Sequence, residues 1–247
     1  MAQPPDPRET GVHLSVPIPV PIPVPIASVL MPPPDPRTAD GVYHELLNRL
    51  VNRTIAPEAR ISIDGTSREL GVSQTPIREA LVRLESDGLV TRVHMSGFRA
   101  APLLTRDEFD KLFEMRLLVE PYLTELAATR HEDDQAEQMA MLAERMRSLG
   151  ENIGRTTYGE FASEDAWLHD LIAEAADSPP LRTSLLHLHS HIHVFRLLYD
   201  TRVPLDALDE HDDVLSAIVE RRPTAASGAM REHLRASRAR LSKAFDS

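Results

Sequence analysis

The sequence predicts a mainly α-helical protein: an N-terminal helix-turn-helix with a two-stranded wing, followed by an all-helical bundle of about six helices. Three observations carry this expectation. Residues 66 to 99 hold two helix signatures parted by a turn and followed by two short β-prone runs. Beyond Pro102 the apolar spacing is helical and no alternating strand pattern occurs. The breaks in that spacing carry stop or start residues, namely Gly150, Pro179-Pro180, Pro204 and Pro223.

Taken in order, residues 1 to 39 form a proline-rich tail. Residues 1 to 40 contain 12 of the 20 prolines, several at alternate positions from Pro17 to Pro25. Each removes an amide donor, which excludes helix and interior strand and favours extended polyproline II. A docking strip and a dispensable extension both fit such a tail.

Residues 40 to 102 form the winged unit. Val42, Leu46, Leu47 and Leu50 share one face of a helix from Asp40 to about Asn52, residues 53 to 62 read as a loop, and a short helix begins near Ser62 or Asp64. Gly65 would weaken that helix by about 1 kcal/mol relative to alanine if it lay in the interior. Gly71 is a left-handed stop, and only Val72 to Gln74 separate it from the next helix, which Thr75 would cap with Pro76 at the first position. Ile77, Ala80, Leu81 and Leu84 recur at i, i+3, i+4 and i+7 there, leaving Arg78 and Arg83 on the outer face. After Gly88, the runs Leu89 to Arg92 and Gly97 to Ala100 predict the wing, carrying Arg92, His94 and Arg99.

Residues 103 to 247 form the bundle. Thr105 caps a helix to about Arg130, with Asp107, Glu108 and Asp110 at its positive end. Further helices fit roughly 132–150, 157–177, 180–200, 205–221 and 223–245.

Composition bounds the function. The net charge is −11, but residues 41 to 100 carry 8 basic and 7 acidic side chains while residues 101 to 247 carry 17 and 27. That polarity presents the winged end to a polyanion, although acidic helical surfaces are common without one. There is no cysteine, no long apolar run and no signal-peptide pattern, so a soluble cytoplasmic protein without a membrane role is expected.

The run Val72-Ser73-Gln74-Thr75-Pro76-Ile77-Arg78-Glu79-Ala80-Leu81, with Arg83-Leu84-Glu85 and Gly88-Leu89-Val90, resembles the winged helix-turn-helix of the GntR superfamily of bacterial transcription regulators. The resemblance implies DNA contacts by Arg68, Thr75 and Arg78, and by His94 in the wing. Gln74 departs from the arginine of many relatives, and glutamine prefers adenine or accepts less specific contacts, so the relatives' operator preference does not carry over. Arg83 and Arg99 fit phosphate contacts or solvent-facing roles as well as base reading. Two protomers reading a near-palindromic operator are implied, hence a homodimer.

Phe113-Glu114-Met115-Arg116-Leu117-Leu118-Val119-Glu120 and Leu126-Ala127-Ala128 resemble the opening helix of the FadR-type C-terminal effector domain, the FCD domain. Its metal-containing members take an Asp and a His four apart from one helix and one His from each of two later helices. The matching residues are Asp165, His169, His211 and His233. Asp165 and His169 stack at i and i+4, and the apolar spacing around His211 and His233 turns both inward. One carboxylate and three imidazoles suit one divalent transition metal per chain, Zn²⁺, Ni²⁺ or Mn²⁺, with open positions for a carboxylate effector. A metal-dependent hydrolase using the same site is the competing class, and an effector-free DNA-binding protein a third; no general base is evident beside the site.

Arg116 could grip an effector carboxylate or simply pair with Glu120 four residues on. In one continuous helix His187 pairs with His191 and His189 with His193 on different faces; one pair, taken as His189 and His193, could line an effector cavity beside Arg196, and otherwise these are surface or half-buried side chains. The resemblance implies, as the commoner case, a repressor released by its effector, with activation the alternative.

Overall fold

The computed structural model describes residues 35–93, 97–151, 157–188, 190–197 and 205–246. The expected tail through residue 34, His94 and His189 lie outside the described residues. The mainly helical class is observed, with one small antiparallel sheet in the order β1-β3-β2.

Helix α1 (Ala39–Val51) is capped by Thr38, whose hydroxyl accepts from the Gly41 amide, and it buries Val42, Leu46, Leu47, Leu50 and Val51. The stretch read as a loop contains β1 (Arg60–Ile61), a two-residue strand too short for an alternation pattern, paired with the second wing strand, which is thereby the central strand of the sheet. Helix α2 (Ile63–Leu70) ends at Gly71, whose φ of 68° needs no Cβ-bearing residue there. Gly65 is in its first turn, donating its amide to the Ser62 cap at 3.2 Å, so the interior-glycine cost anticipated from the sequence does not apply.

The reading helix α3 (Gln74–Ser86) begins two residues earlier than expected. Ser73 is its cap, not Thr75, and makes no side-chain capping bond. Pro76 falls at the third position, where the missing N–H is still one that no helical carbonyl would accept. Ile77, Ala80, Leu81 and Leu84 are buried against α1, as their spacing requires. Strands β2 (Val90–Val93) and β3 (Gly97–Ala100) form the wing, with Thr91 opposite Arg99 and Arg60 opposite Arg99 on its other edge.

In the bundle, α4 (Arg106–Arg130) opens with a reciprocal capping box between Thr105 and Glu108. It packs against α6 (Thr157–Ala175), α9 (Leu205–Val219) and α10 (Pro223–Leu241), and α5 (Asp133–Glu151) covers α6 and α9. The helix expected over 180–200 is two: α7 (Pro179–His187) and α8 (Ser190–Phe195). At its end the Leu188 amide reaches back to Leu185 O, a tighter step that stops the α-helical ladder without proline or glycine.

The two parts meet along α1, α6 and α8. A Cβ on Gly159 of α6 would stand 2.6 Å from Asn48 Oδ1 and 3.0 Å from Asn48 Cα, so this contact requires glycine. Arg53, in a left-handed conformation just after α1, donates to Arg196 O at 2.9 Å and Leu197 O at 2.7 Å. Arg196 in turn donates to Ala101 O at 2.6 Å in the segment that joins the two parts.

Candidate functional site

Five helices converge on a buried polar cluster. Helix α4 brings Arg116 and Glu120, one turn apart; α6 brings Asp165 and His169; α8 brings His191; α9 and α10 bring His211 and His233. The apolar stripes that seat these helices in the core carry their polar residues inward with them, which is why seven polar side chains share one interior. His169, His211 and His233 each offer a nitrogen within 4.8 Å of the other two. The His211 and His233 ring centres are 4.4 Å apart, and those of His169 and His233 5.4 Å. Asp165 Oδ1 lies 3.4 Å from His211 Nε2.

Among the described residues, His169 Nε2 and both nitrogens of His211 are buried without a hydrogen-bond partner. Each such atom costs about 1–3 kcal/mol when left unpaired. A divalent cation would satisfy them, and imidazole nitrogens with a carboxylate are a donor set that later transition metals accept. The residues present therefore fit a metal ion.

Electrostatics keep His191, His211 and His233 neutral, the form that ligates. Burial pushes His211 and His191 well below the usual histidine range, aided by the neighbouring imidazoles and Arg116. Burial also lowers His233, partly opposed by its bond to Glu210. For Glu120, burial alone would raise the carboxyl, but Arg116 and His169 outweigh it and hold Glu120 well below the usual carboxylate range.

A second trio, Glu120, His169 and His191, is equally compact, but Arg116 already occupies it. Arg116 Nε donates to Glu120 Oε1 at 2.5 Å, and its Nη2 is 2.7 Å from His191 Nε2. Arginine only donates, so His191 Nε2 must accept. A metal placed there would face a fixed positive charge, which favours the His169, His211, His233 group.

The weaker sequence assignments fare unevenly. Arg116 lies in the cluster, on Glu120 and His191 together. His193 does not: it turns toward the winged part, so that a Cβ on Gly88 would lie 3.5 Å from its Nε2. The break between α7 and α8 rephases the helix and puts His191 inside. Arg196 also points away from the cluster, buried against the linker carbonyls of Ala101 and Pro102. Glu120 and Glu210 escaped the site reading, because what they do depends on partners on other helices.

On the winged part, Arg68, Gln74, Thr75, Arg78 and Arg99 are all exposed. Gln74 Nε2 donates to Asp64 Oδ1 at 2.5 Å, while Arg78 donates to Gln74 Oε1 at 3.2 Å. Arg99 donates to Glu58 O at 2.5 Å. Arg60 was missed: strand register sets it beside Arg99 on the exposed face, a relation visible only once β1 is known. Arg83 is held by Asp40 at 2.5 Å and lies 4.2 Å over the Tyr43 ring, a packing role rather than a reading one.

A winged helix-turn-helix joined to a helical bundle with a buried polar cluster defines a DNA-binding regulator with a sensor-type domain. Residues 38–99 match the family described as bacterial regulatory proteins, gntR family, and residues 111–236 match the FCD domain. The chain belongs to the GntR family of bacterial transcriptional regulators, in the group whose effector-binding domain is an FCD domain.

Among relatives, the HTH-type transcriptional regulator YdhC of Bacillus subtilis is 27% identical over 157 residues, covering 63% of this chain and 68% of that protein. The HTH-type transcriptional repressor GlaR of Escherichia coli is 24% identical over 199 residues, covering 78% of this chain and 90% of its own. The solved structure of E. coli McbR/YncC is similar in fold, with a TM-score of 0.68 at 18% identity, covering 84% of this chain and 98% of that one. The family and these relatives are transcription regulators rather than enzymes, so the hydrolase alternative falls. No helix among the described residues is long and apolar enough to cross a membrane.

Proposed function

We propose that the chain is a homodimeric repressor whose grip on a near-palindromic operator is released by a small carboxylate effector bound over a divalent metal in the bundle. The observation that carries this is the convergence of His169, His211 and His233, with buried nitrogens left unpaired and Asp165 beside them. A bound ion would supply a Lewis-acidic point for carboxylate oxygens.

Charge accounting favours an anionic effector. Glu120 is matched by Arg116 and Glu210 by Arg240, while Asp165 faces the imidazole of His211. A divalent ion therefore brings one uncompensated positive charge, which a monocarboxylate would neutralise. Arg116 and His191 line the same interior and suit the second end of such a ligand. The gap bounded by Glu120, Thr124, His169 and Leu185 is too tight for a water molecule, so an effector must push side chains aside to enter.

Helix α8 is the route from that displacement to DNA. His191 near its start faces the cluster, while the Arg196 and Leu197 carbonyls just past its end hold Arg53 of the winged part. An effector that prefers one setting of α8 biases the orientation of the reading heads, and only such a preference can change operator affinity. On the operator, α3 enters the major groove with Gln74, Thr75 and Arg78 at its leading end, while Arg68 and Arg99 flank it. The repressor sign follows the similarity to GlaR, a transcriptional repressor.

The test is elemental analysis of untagged protein followed by operator binding with and without carboxylates. About one transition metal per chain and weaker DNA binding with one acid are expected. No metal after reconstitution with Zn²⁺, Ni²⁺ and Mn²⁺ would overturn the metal-centred reading.

A further inference from the structure

Two arginine–glutamate–histidine relays run into the cluster from opposite sides. In one, Arg116 Nε donates to Glu120 Oε1 at 2.5 Å and Glu120 Oε2 meets His169 Nδ1 at 2.5 Å. In the other, Arg240 forks onto Glu210, at 2.5 Å to Oε1 and 2.7 Å to Oε2, and Glu210 Oε2 meets His233 Nδ1 at 3.0 Å. The sequence assigned neither glutamate to the site. Glu210 precedes His211 in the chain, yet it serves the histidine of the neighbouring helix α10.

We propose that Glu210, clamped by Arg240, is a positioning residue that commits His233 to present Nε2 to a metal, and that Glu120, clamped by Arg116, does the same for His169. A carboxylate with both oxygens engaged by a guanidinium stays an acceptor, so the ring nitrogen facing it must carry the proton. The proton on Nδ1 leaves the lone pair on Nε2, and which nitrogen is protonated is set by the bond the other makes. Without the carboxylates each ring could turn over and offer either nitrogen. Two rings locked in the same tautomer fix where the ligating lone pairs cross. The clamps also cancel the carboxylate charges, so the relays orient without adding net charge to the centre.

The inference rests on the metal reading above, and its test separates the two. In metal-free protein, two-bond ¹H–¹⁵N spectra report the tautomer of each histidine directly. His233 and His169 are expected as the Nδ1–H form, and His233 should leave that form in Glu210→Ala while His169 keeps it. His233 unchanged in the variant, or found as Nε2–H in the wild type, overturns the proposal whether or not the protein binds metal.

The second readout is Zn²⁺ affinity by competition with a chromophoric chelator. Loss of an outer hydrogen-bond partner typically weakens binding about 10–100-fold. Glu210→Ala is expected in that range, with Glu210→Gln, which keeps an acceptor oxygen, between it and the wild type. Should Glu210→Ala fail to fold, Glu210→Gln and Arg240→Met carry both measurements. Wild-type binding with unaltered affinity in these variants overturns the positioning role alone, and no wild-type binding overturns the metal reading with it.

Discussion

Replacing His211 by alanine separates the two reasons for which a buried imidazole can be retained. The side chain is 3% exposed, both ring nitrogens are unpaired, and Asp165 is its nearest carboxylate at 3.4 Å. In metal-free protein those nitrogens destabilise the fold, and removing both recovers roughly 2–6 kcal/mol at about 1–3 kcal/mol each. The cavity left by the ring costs roughly 2–5 kcal/mol, by analogy with other large-to-alanine truncations. The effects oppose each other and are similar in size, so the metal-free variant should melt within several degrees of the wild type.

The metal-loaded protein behaves differently. Metal at a hundred times its dissociation constant stabilises the folded state by about 2.7 kcal/mol. For a chain of this length each kcal/mol moves Tm by roughly 2–4 °C, so metal should raise the wild-type Tm by roughly 5–11 °C. His211→Ala deletes one of three converging imidazoles, and its increment at the same metal concentration should fall below about 2 °C. The assay is thermal unfolding of chelator-treated protein with Zn²⁺, Ni²⁺ or Mn²⁺ restored. An equal increment in both proteins would refute the reasoning, because the ion would then be stabilising the fold from elsewhere.

Other outcomes follow from the same contacts. Arg78→Ala alters an exposed side chain that bonds to the exposed Gln74, so stability should change by less than about 0.5 kcal/mol. Its operator affinity should fall by about 1–3 kcal/mol at one base position if it reads a base, or uniformly with a salt slope lower by about 1 if it holds a phosphate, measured by anisotropy across salt; unaltered affinity removes Arg78 from the interface. Arg53→Asn keeps a residue tolerant of the left-handed backbone but loses the fork onto the α8 carbonyls. It should bind operator and effector separately while losing most of a coupling expected at about 1–3 kcal/mol; full effector response in this variant would exclude the α8 route.

The pH dependence has a definite sign. Burial holds His191, His211 and His233 below their unfolded value of about 6.5, so below that pH the unfolded chain binds more protons than the folded one. The stabilisation is present above about pH 6.5, and metal-free protein should lose it as pH falls through the depressed folded values. Denaturant titrations at pH 7.5 and 5.5 check this, and equal stability at both would contradict the burial argument.

Local chemistry was legible in the sequence, and long-range partnership was not. The stripe from Ile77 to Leu84 has one burial solution, and Gly71 one backbone conformation, so the reading head could be derived residue by residue. Thr75 was mistaken for the cap because Ser73 and Thr75 are both competent and Pro76 tolerates either start. Strand β1 exists only through its pairing with β3, so nothing local announces it, and Arg60 went unnoticed with it. The division of α7 from α8 carries no breaker residue, and that one misreading exchanged His193 for His191.

The same distinction explains the candidate centre. Asp165 and His169 are one helical turn apart, a relation sequence spacing encodes, and His211 and His233 have apolar companions that orient them inward. Glu210 precedes His211 in the chain, and consecutive helix residues point about 100° apart, so spacing alone keeps it off an ion held by His211. That reasoning holds for a ligand and fails for a support: the divergence that keeps Glu210 off the point facing His211 aims it at His233 on the adjoining helix. Arg196 shows the converse. Its charge and its neighbouring histidines mark it for an effector, yet it lies just past the end of α8 with its guanidinium on the linker carbonyls, and the cluster takes its arginine from α4 instead. A cation at that position meets the connecting segment between the two parts, while the long core helix already supplies the cluster with one.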